Sequence, residues 1–199
     1  MKQRRYLRQW IISMLVLLVI IGCASKIPHL LAPDYAKRGT RLIAVMPVKN
    51  CSTDPNVGHM VRETVIRELY FKGYPKIPPA VIDEKLSVIY GTTTDFKDGS
   101  VPPKSIGDLL GVNAVLYGSL IRCKTSYILF YAATEISMTF ELRSAKTGET
   151  LWSTRYGKVK RNFGFSKKQL EMASQQVYET TIQEMVDKAL DTLPDGPDV

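Results

Sequence analysis

The chain has 199 residues, 45% of them hydrophobic, with 27 Lys and Arg against 19 Asp and Glu, three Cys and two His. That length suits one domain with a real core. Basic and acidic side chains alternate along most of it rather than gathering in a stripe, which argues against a nucleic-acid partner. His29 and His59 stand far apart and away from the cysteines, so no metal centre is expected.

The amino terminus begins with a basic cap (Lys2, Arg4, Arg5, Arg8), followed by an apolar run from Trp10 to Ile21 broken only by Ser13. A membrane span needs about 20 apolar residues, and this run is shorter. Cap, short apolar core and small residue make a secretion signal. The tetrad Ile20-Ile21-Gly22-Cys23 narrows it to the lipoprotein type, in which residues 1–22 are removed and the Cys23 thiol is acylated (palmitate among the chains). Several acyl chains give a stable anchor where one would be marginal. Ala24, not Asp, follows, and by sorting logic this directs the protein to the outer membrane with its domain facing the periplasm. Loss of the signal takes four basic residues with it and leaves 23 basic against 19 acidic, a net charge of +4.

Residues 23–40 show no helical or strand period and read as a lipidated tether. Residues 41–193 read as the domain, and 194–199 as a disordered tail. Leu42 to Val48, closed by Pro47, is a continuous apolar run that predicts a strand buried on both faces. Asp54 then caps a helix with Pro55 at its first position; Val57, Val61, Val65 and Leu69 form its apolar stripe and Gly73 ends it. A short extended piece is expected over Tyr74–Ile77, a second helix over Pro79–Tyr90, an exposed loop over 91–101, and a short helix from Pro102 to Leu110.

Val112 to Arg122 predicts a strand with Gly118 inside it. Ile136, Met138, Phe140 and Leu142 alternate with polar residues in a strand with one wet face, turned at Lys146-Thr147-Gly148-Glu149 and answered by Leu151–Lys160. Ser166 opens a final helix that stops at Pro194. Strands and helices in this order predict an α/β fold, a mixed sheet of about five strands with helices packed on its faces.

No Gly-rich phosphate loop, nucleotide fingerprint, metalloprotease helix or nucleophile elbow is present, so no catalytic residue and no cofactor are expected. Asp83 and Glu84 are adjacent on a helix and do not converge on a substrate. Lys158, Lys160, Arg161, Lys167 and Lys168 form the densest basic cluster, and Tyr127, Phe130 and Tyr131 an aromatic one. Cys51 and Cys123, each near the end of a predicted strand, are an even pair in an oxidising compartment and thus either a candidate disulfide or two small buried hydrophobes. Membrane-spanning hairpins need strands of about 9–11 residues, and only Tyr127–Ala133 comes near that here, so a pore built by this chain alone is not expected.

Pro47, Asn50 and Ser52, then Gly73-Tyr74, Pro79 with Val81 and Asp83, Gly111 through Tyr117, and Thr147-Gly148-Glu149 with Leu151-Trp152 follow one another with a specific order and spacing. In these residues, covering most of 41–160, the chain resembles a family of bacterial outer-membrane lipoproteins of unknown function. It departs from the pattern in its single Pro in the first motif and in Asn113, where Asp is common. The family is similar at fold level to the curli-secretion lipoprotein, the amino-terminal domain of the Tol–Pal translocation protein and a lipoprotein activator of penicillin-binding proteins. The resemblance implies a non-enzymatic scaffold or assembly and export factor, working with other envelope proteins or with further copies of itself. A regulator of a peptidoglycan synthase is the alternative, although a free tether of ~17 residues spans only roughly 20–25 Å. A hydrolase or ligand-binding protein with an unrecognised site is the third reading.

Overall fold

The computed structural model describes residues 26–197 apart from 53, 55, 91–100, 129 and 165. The signal sequence, Cys23, Pro55 and nearly all of the loop expected over 91–101 lie outside the described residues. Among the described residues, one mixed sheet of six strands is formed by β1 (His29–Leu31), β2 (Ile43–Val45), β3 (Lys49–Asn50), β4 (Ala114–Ile128), β5 (Tyr131–Ser144) and β6 (Thr150–Phe163). The order is β1-β6-β5-β4-β2, and β3 continues alongside β4 after β2. The α-helices are α1 (Asn56–Phe71), α2 (Pro79–Tyr90), α3 (Pro103–Leu110) and α4 (Lys167–Leu190). The expected α/β fold is the one observed.

The apolar run at 42–48 forms only the short strand β2, and a second short parallel strand, β3, follows it at 49–50. β2 pairs with Ala114–Leu116 and β3 with Ser119–Leu120, and Pro47 falls between them. Proline has no N–H to give to a ladder. The centre of the sheet is the antiparallel meander β4–β5–β6. Even-numbered residues of β5 from Ala132 to Ser144 are buried and odd-numbered ones are half-buried, the period-2 alternation of a strand covered more fully on one side.

On the better covered face, α1 and α4 pack Val61, Val65, Leu69, Ile182, Met185 and Ala189 against Phe140, Leu142 and Trp152. On the other, α2 and α3 place Ile82, Leu86 and Ile106 over Ala44, Met46 and Val115. Gly107 lets α3 approach closely, since a Cβ there would come within 2.6 Å of the Ala145 Cβ.

Three boundaries differ from the sequence reading. Part of the supposed tether belongs to the domain: His29–Leu31 pairs with Trp152–Thr154 of β6, and Tyr35, in a 3-10 helix over Tyr35–Arg38, is buried. Three residues on a sheet edge are too few to show a period. The supposed disordered tail is tied down as well, because Lys72 pairs with Asp195 and Gly196 N–H donates to the Lys72 carbonyl. The third difference is a second hairpin. β4 runs six residues beyond Arg122, to Ile128, and turns there into β5, which begins at Tyr131. The meander strands are 15, 14 and 14 residues long, longer than the sequence reading allowed, although their outer face carries Glu135, Ser137, Thr139 and Glu141 rather than an apolar band. Tyr74–Ile77 forms no strand.

Among the described residues, Arg62 is the one buried cation in the core, 3% exposed, on the apolar side of α1. Its Nε donates to the Val45 carbonyl at 3.0 Å and its Nη1 to Asp83 Oδ2 at 2.7 Å, tying α1 to β2 and α2. Removing one partner of a buried pair strands the other charge. Asp83→Asn is therefore expected to cost about 3 kcal/mol in urea unfolding, the low end of that range because the Asp83 side chain is 28% exposed. The double variant Arg62→Met/Asp83→Leu should recover most of the loss. Gly107→Ala should cost about 1–3 kcal/mol by overpacking, read as a lower urea midpoint at unchanged m-value.

Candidate functional site

The motif residues gather in loops at two corners of the sheet. At the first, Asn50 organises the β3–α1 connection: its Oδ1 accepts from Ser52 N–H at 2.9 Å and its Nδ2 donates to the Asp54 carbonyl at 2.7 Å. Ser52 Oγ accepts from Asp54 N–H, and Asp54 Oδ1 from Asn56 N–H, which caps α1 as expected. The short side chains at 50, 52 and 54 each satisfy a backbone group of the turn, so this motif builds a loop.

At the second corner, where β5 turns into β6, Gly148 takes a positive φ of 76° and its N–H reaches the Ser144 carbonyl at 2.8 Å. Thr147 Oγ1 donates to Glu149, and Arg38 bridges Glu149 and Asp34. The guanidinium holds both carboxyls below the ordinary carboxylate range. Asn113 closes the corner: its carbonyl accepts from Ala145 N–H and its side-chain oxygen from Leu42 N–H at 3.1 Å. Only that oxygen is used in the contact, and an Asp carboxylate offers the same acceptor. Trp152 is fully buried just beyond, its indole N–H on Thr192 Oγ1 at 3.1 Å.

The second corner and the α3 helix enclose an open cleft of about 940 Å³ lined by Lys37, Arg38, Lys104, Asp108, Asn113 and Lys146 among others. Lys37, Lys104 and Lys146 are exposed on its rim. Such a rim suits a carboxylate- or phosphate-bearing surface. The cleft's Ser144, Thr147 and Glu149 are engaged in holding the turn, and no nucleophile, base and orienting group line up in it among the described residues.

The other sequence candidates disperse. Asp83 faces Arg62 while Glu84 is exposed. Lys158 and Lys160 turn towards Glu184 on α4, whereas Arg161 lies on the opposite sheet face. Tyr127, Phe130 and Tyr131 surround the β4–β5 turn at the far end of the sheet from the cleft. His59 and His29 are exposed, and no group of metal-ligating side chains forms among the described residues.

Cys51 directly follows β3 and Cys123 lies within β4, the strand it pairs with; both are free thiols here. Cys123 contacts Tyr178 Oη on α4. Sequence reasoning missed Arg62 and Arg38. A charged residue adjoining the apolar stripe at Val61 and Val65 was the available signal for Arg62; nothing local marks Arg38, whose partner Glu149 is 111 residues away.

A solved structure with this arrangement is that of lipoprotein GNA1162 from Neisseria meningitidis, at 25% sequence identity and a TM-score of 0.54, covering 71% of this chain and 97% of the other. The chain belongs to the family described as "Putative lipoprotein GNA1162-like", whose model matches residues 34–196. A curated relative, "Putative lipoprotein NMB1124/NMB1162" of Neisseria meningitidis serogroup B (strain ATCC BAA-335 / MC58), is 27% identical over 144 residues, which are 72% of this chain and 66%, just under two thirds, of the relative. A PelC dodecamer from Paraburkholderia phytofirmans is also similar, at 17% identity and a TM-score of 0.48, covering 83% of this chain and 93% of that one. Family membership makes the chain a lipoprotein, with the membrane-anchored place in the envelope that the class implies.

Burial pushes the Cys123 thiol up to about 11, with the nearby Cys51 and Asp54 adding to the rise and a Ser52 hydrogen bond opposing it. The thiolate is the reactive form. In the folded, reduced protein at pH 8, maleimide should label exposed Cys51 first, and Cys123 only as pH approaches 11, followed by peptide mass spectrometry. A raised acid favours its neutral form in the fold, so its contribution to stability is complete below the free-thiol range and lost as pH climbs through 11. Tyr117, raised by burial to about 12, acts in the same direction. Stability in urea is thus expected to fall between pH 9 and 12, and less so in Cys123→Ala.

Proposed function

We propose that this protein is a non-catalytic scaffold or assembly factor, acylated at Cys23, in a multiprotein complex at the periplasmic face of the outer membrane. The observation that carries the reading is where the motif residues lie. They are spent on holding loops, and the β5–β6 turn among those loops frames a cation-rimmed cleft rather than a reaction centre. A surface of that kind binds an acidic face of a partner by charge complementarity.

The register of β1 supports the same view. Going back from Leu31 to His29 the chain runs along β6 from Trp152 towards Thr154 and so away from the cleft. The chain therefore enters β1 from the side away from the cleft. With residues 29–38 packed on the domain, the free link shrinks to about six residues, roughly 13 Å root-mean-square. The domain is thus held close to the bilayer with its cleft facing away from it.

The test is crosslinking in cells, detergent extraction and mass spectrometry of co-purifying proteins, using wild type and Lys104→Glu/Lys146→Glu. The expected result is a discrete assembly, with itself or with envelope proteins, that the double variant loses while remaining folded and membrane-bound. An assembly untouched by the variant would remove the cleft from the reading, and a monomer without partners would overturn it. Cys23→Ala should release the protein from the membrane fraction.

A further inference from the structure

The far end of the meander has no role in the fold described above, and its side chains are unusual for a free surface. Phe130 in the β4–β5 turn is 62% exposed and Phe163 at the end of β6 is 78% exposed, with Tyr127 and Ile128 also exposed beside them. The register puts Ile128 opposite Tyr131, and Tyr131 opposite Phe163. The Tyr131 and Phe163 rings lie 6.1 Å apart, so these side chains form one apolar tip.

Behind the tip stands a mainly basic collar. Residues 121–133 and 158–170 contain Lys124, Lys160, Arg161 and Lys168 but no Asp or Glu. The flanking carboxylates are Glu171 near the start of α4, Glu135, paired with Arg122, and, further along α4, Glu184, which holds Lys158 and Lys160. Aromatic side chains with a basic collar match the boundary of a bilayer, where rings settle at headgroup depth and Lys and Arg meet anionic phosphates.

The described chain enters β1 from the tip side of β6, although six residues cannot span the whole distance to the tip. Pro28, whose carbonyl accepts from Thr154 Oγ1, precedes a strand that runs from Thr154 towards Trp152. From Thr154 to Phe163 is nine strand steps, about 30 Å. From His29 back to Cys23 is six residues, a reach of at most ~20 Å.

We propose that the Tyr127–Ile128–Phe130–Phe163 tip is a second membrane contact, seated on the anionic leaflet that holds the acyl chains of Cys23. This rests on the acylation reading. Two contacts, one covalent and one electrostatic and apolar, would stand the meander upright on the bilayer, where a single flexible link would leave the domain free to tumble. Each Lys or Arg held near an anionic surface contributes about five-fold in partitioning.

The test uses the full chain purified from membranes and reconstituted in phosphatidylethanolamine–phosphatidylglycerol vesicles with brominated acyl chains, which quench nearby tryptophan. Phe130→Trp reports on the tip and Phe71→Trp, an exposed site at the opposite end, serves as control; Trp152 is buried in both, and both carry Trp10→Phe so that a retained signal adds no tryptophan. Intact mass of the same sample reports acylation of Cys23. The expected result is an acylated protein with strong quenching for Phe130→Trp only, diminished by Lys124→Glu/Arg161→Glu and by added salt. Acylated protein without quenching overturns the tip contact and leaves the anchor standing. Unacylated protein with quenching supports the tip and overturns the anchor, and unacylated protein without it overturns both. A blue-shifted, unquenched Phe130→Trp at doubled mass means a second copy covers the tip, which also overturns the proposal.

Discussion

Helix length on the two faces of the sheet sets the shape of the molecule. α4 has 24 residues and runs back along β6 from the tip towards the cleft, a length of about 36 Å. The meander strands of 14–15 residues reach about 46–50 Å. α2 and α3, on the other face, have only 12 and 8 residues. One face is therefore covered along most of its length and the other only near the cleft, which is why the even residues of β5 are buried to its distal end while the odd ones are not. A sheet covered evenly on both faces would have neither a bare distal end nor a loop-framed proximal one.

The sequence was most readable where helix and strand periods were long and uninterrupted. The Asp54 cap, the stripe Val57–Val61–Val65–Leu69, the alternation from Ile136 to Leu142 and the turn at Gly148 all correspond to observed features. The misses share a cause, which is that they depend on a partner distant in sequence. β1 has three exposed residues and exists because β6 is there to pair with. The hairpin at 128–131 carries no Gly or Asn to announce it; aromatic and apolar residues flank the turn, and alternation is blurred because both faces are partly wet. The tail is fixed by Lys72 and Tyr74, 123 and 120 residues upstream.

At the candidate site, the motif positions were legible but their use was not. Asn50, Ser52, Gly148 and Trp152 could each have pointed to chemistry or to architecture. Their hydrogen bonds choose architecture, since every short polar side chain at the two corners ends on a backbone group or a neighbouring side chain of the same turn. Glycine at 148 answers a positive φ, a demand of the backbone and not of a ligand. Residues that hold loops can characterise a family whose members meet different partners, because the loops fix where a cleft opens while the rim, here Lys104 and Lys146, fixes what it attracts.

This division bears on how an anchored protein of this size can act. A buried ion pair such as Arg62–Asp83 adds little net stability over apolar residues of the same volume, but it penalises any shift of α1 against α2 and β2. The Arg38 bridge does the same at the cleft by joining the segment that follows β1 to the β5–β6 turn. Both clamps lie in the half of the molecule built from loops and short helices, where packing alone constrains geometry least. The distal half is held by the continuous β4–β5–β6 ladder and by α4, which Glu184 ties to Lys158 and Lys160 of β6. The arrangement thus combines a stiff sheet that runs out to the aromatic tip with locked loops that keep the cleft's shape at the other end.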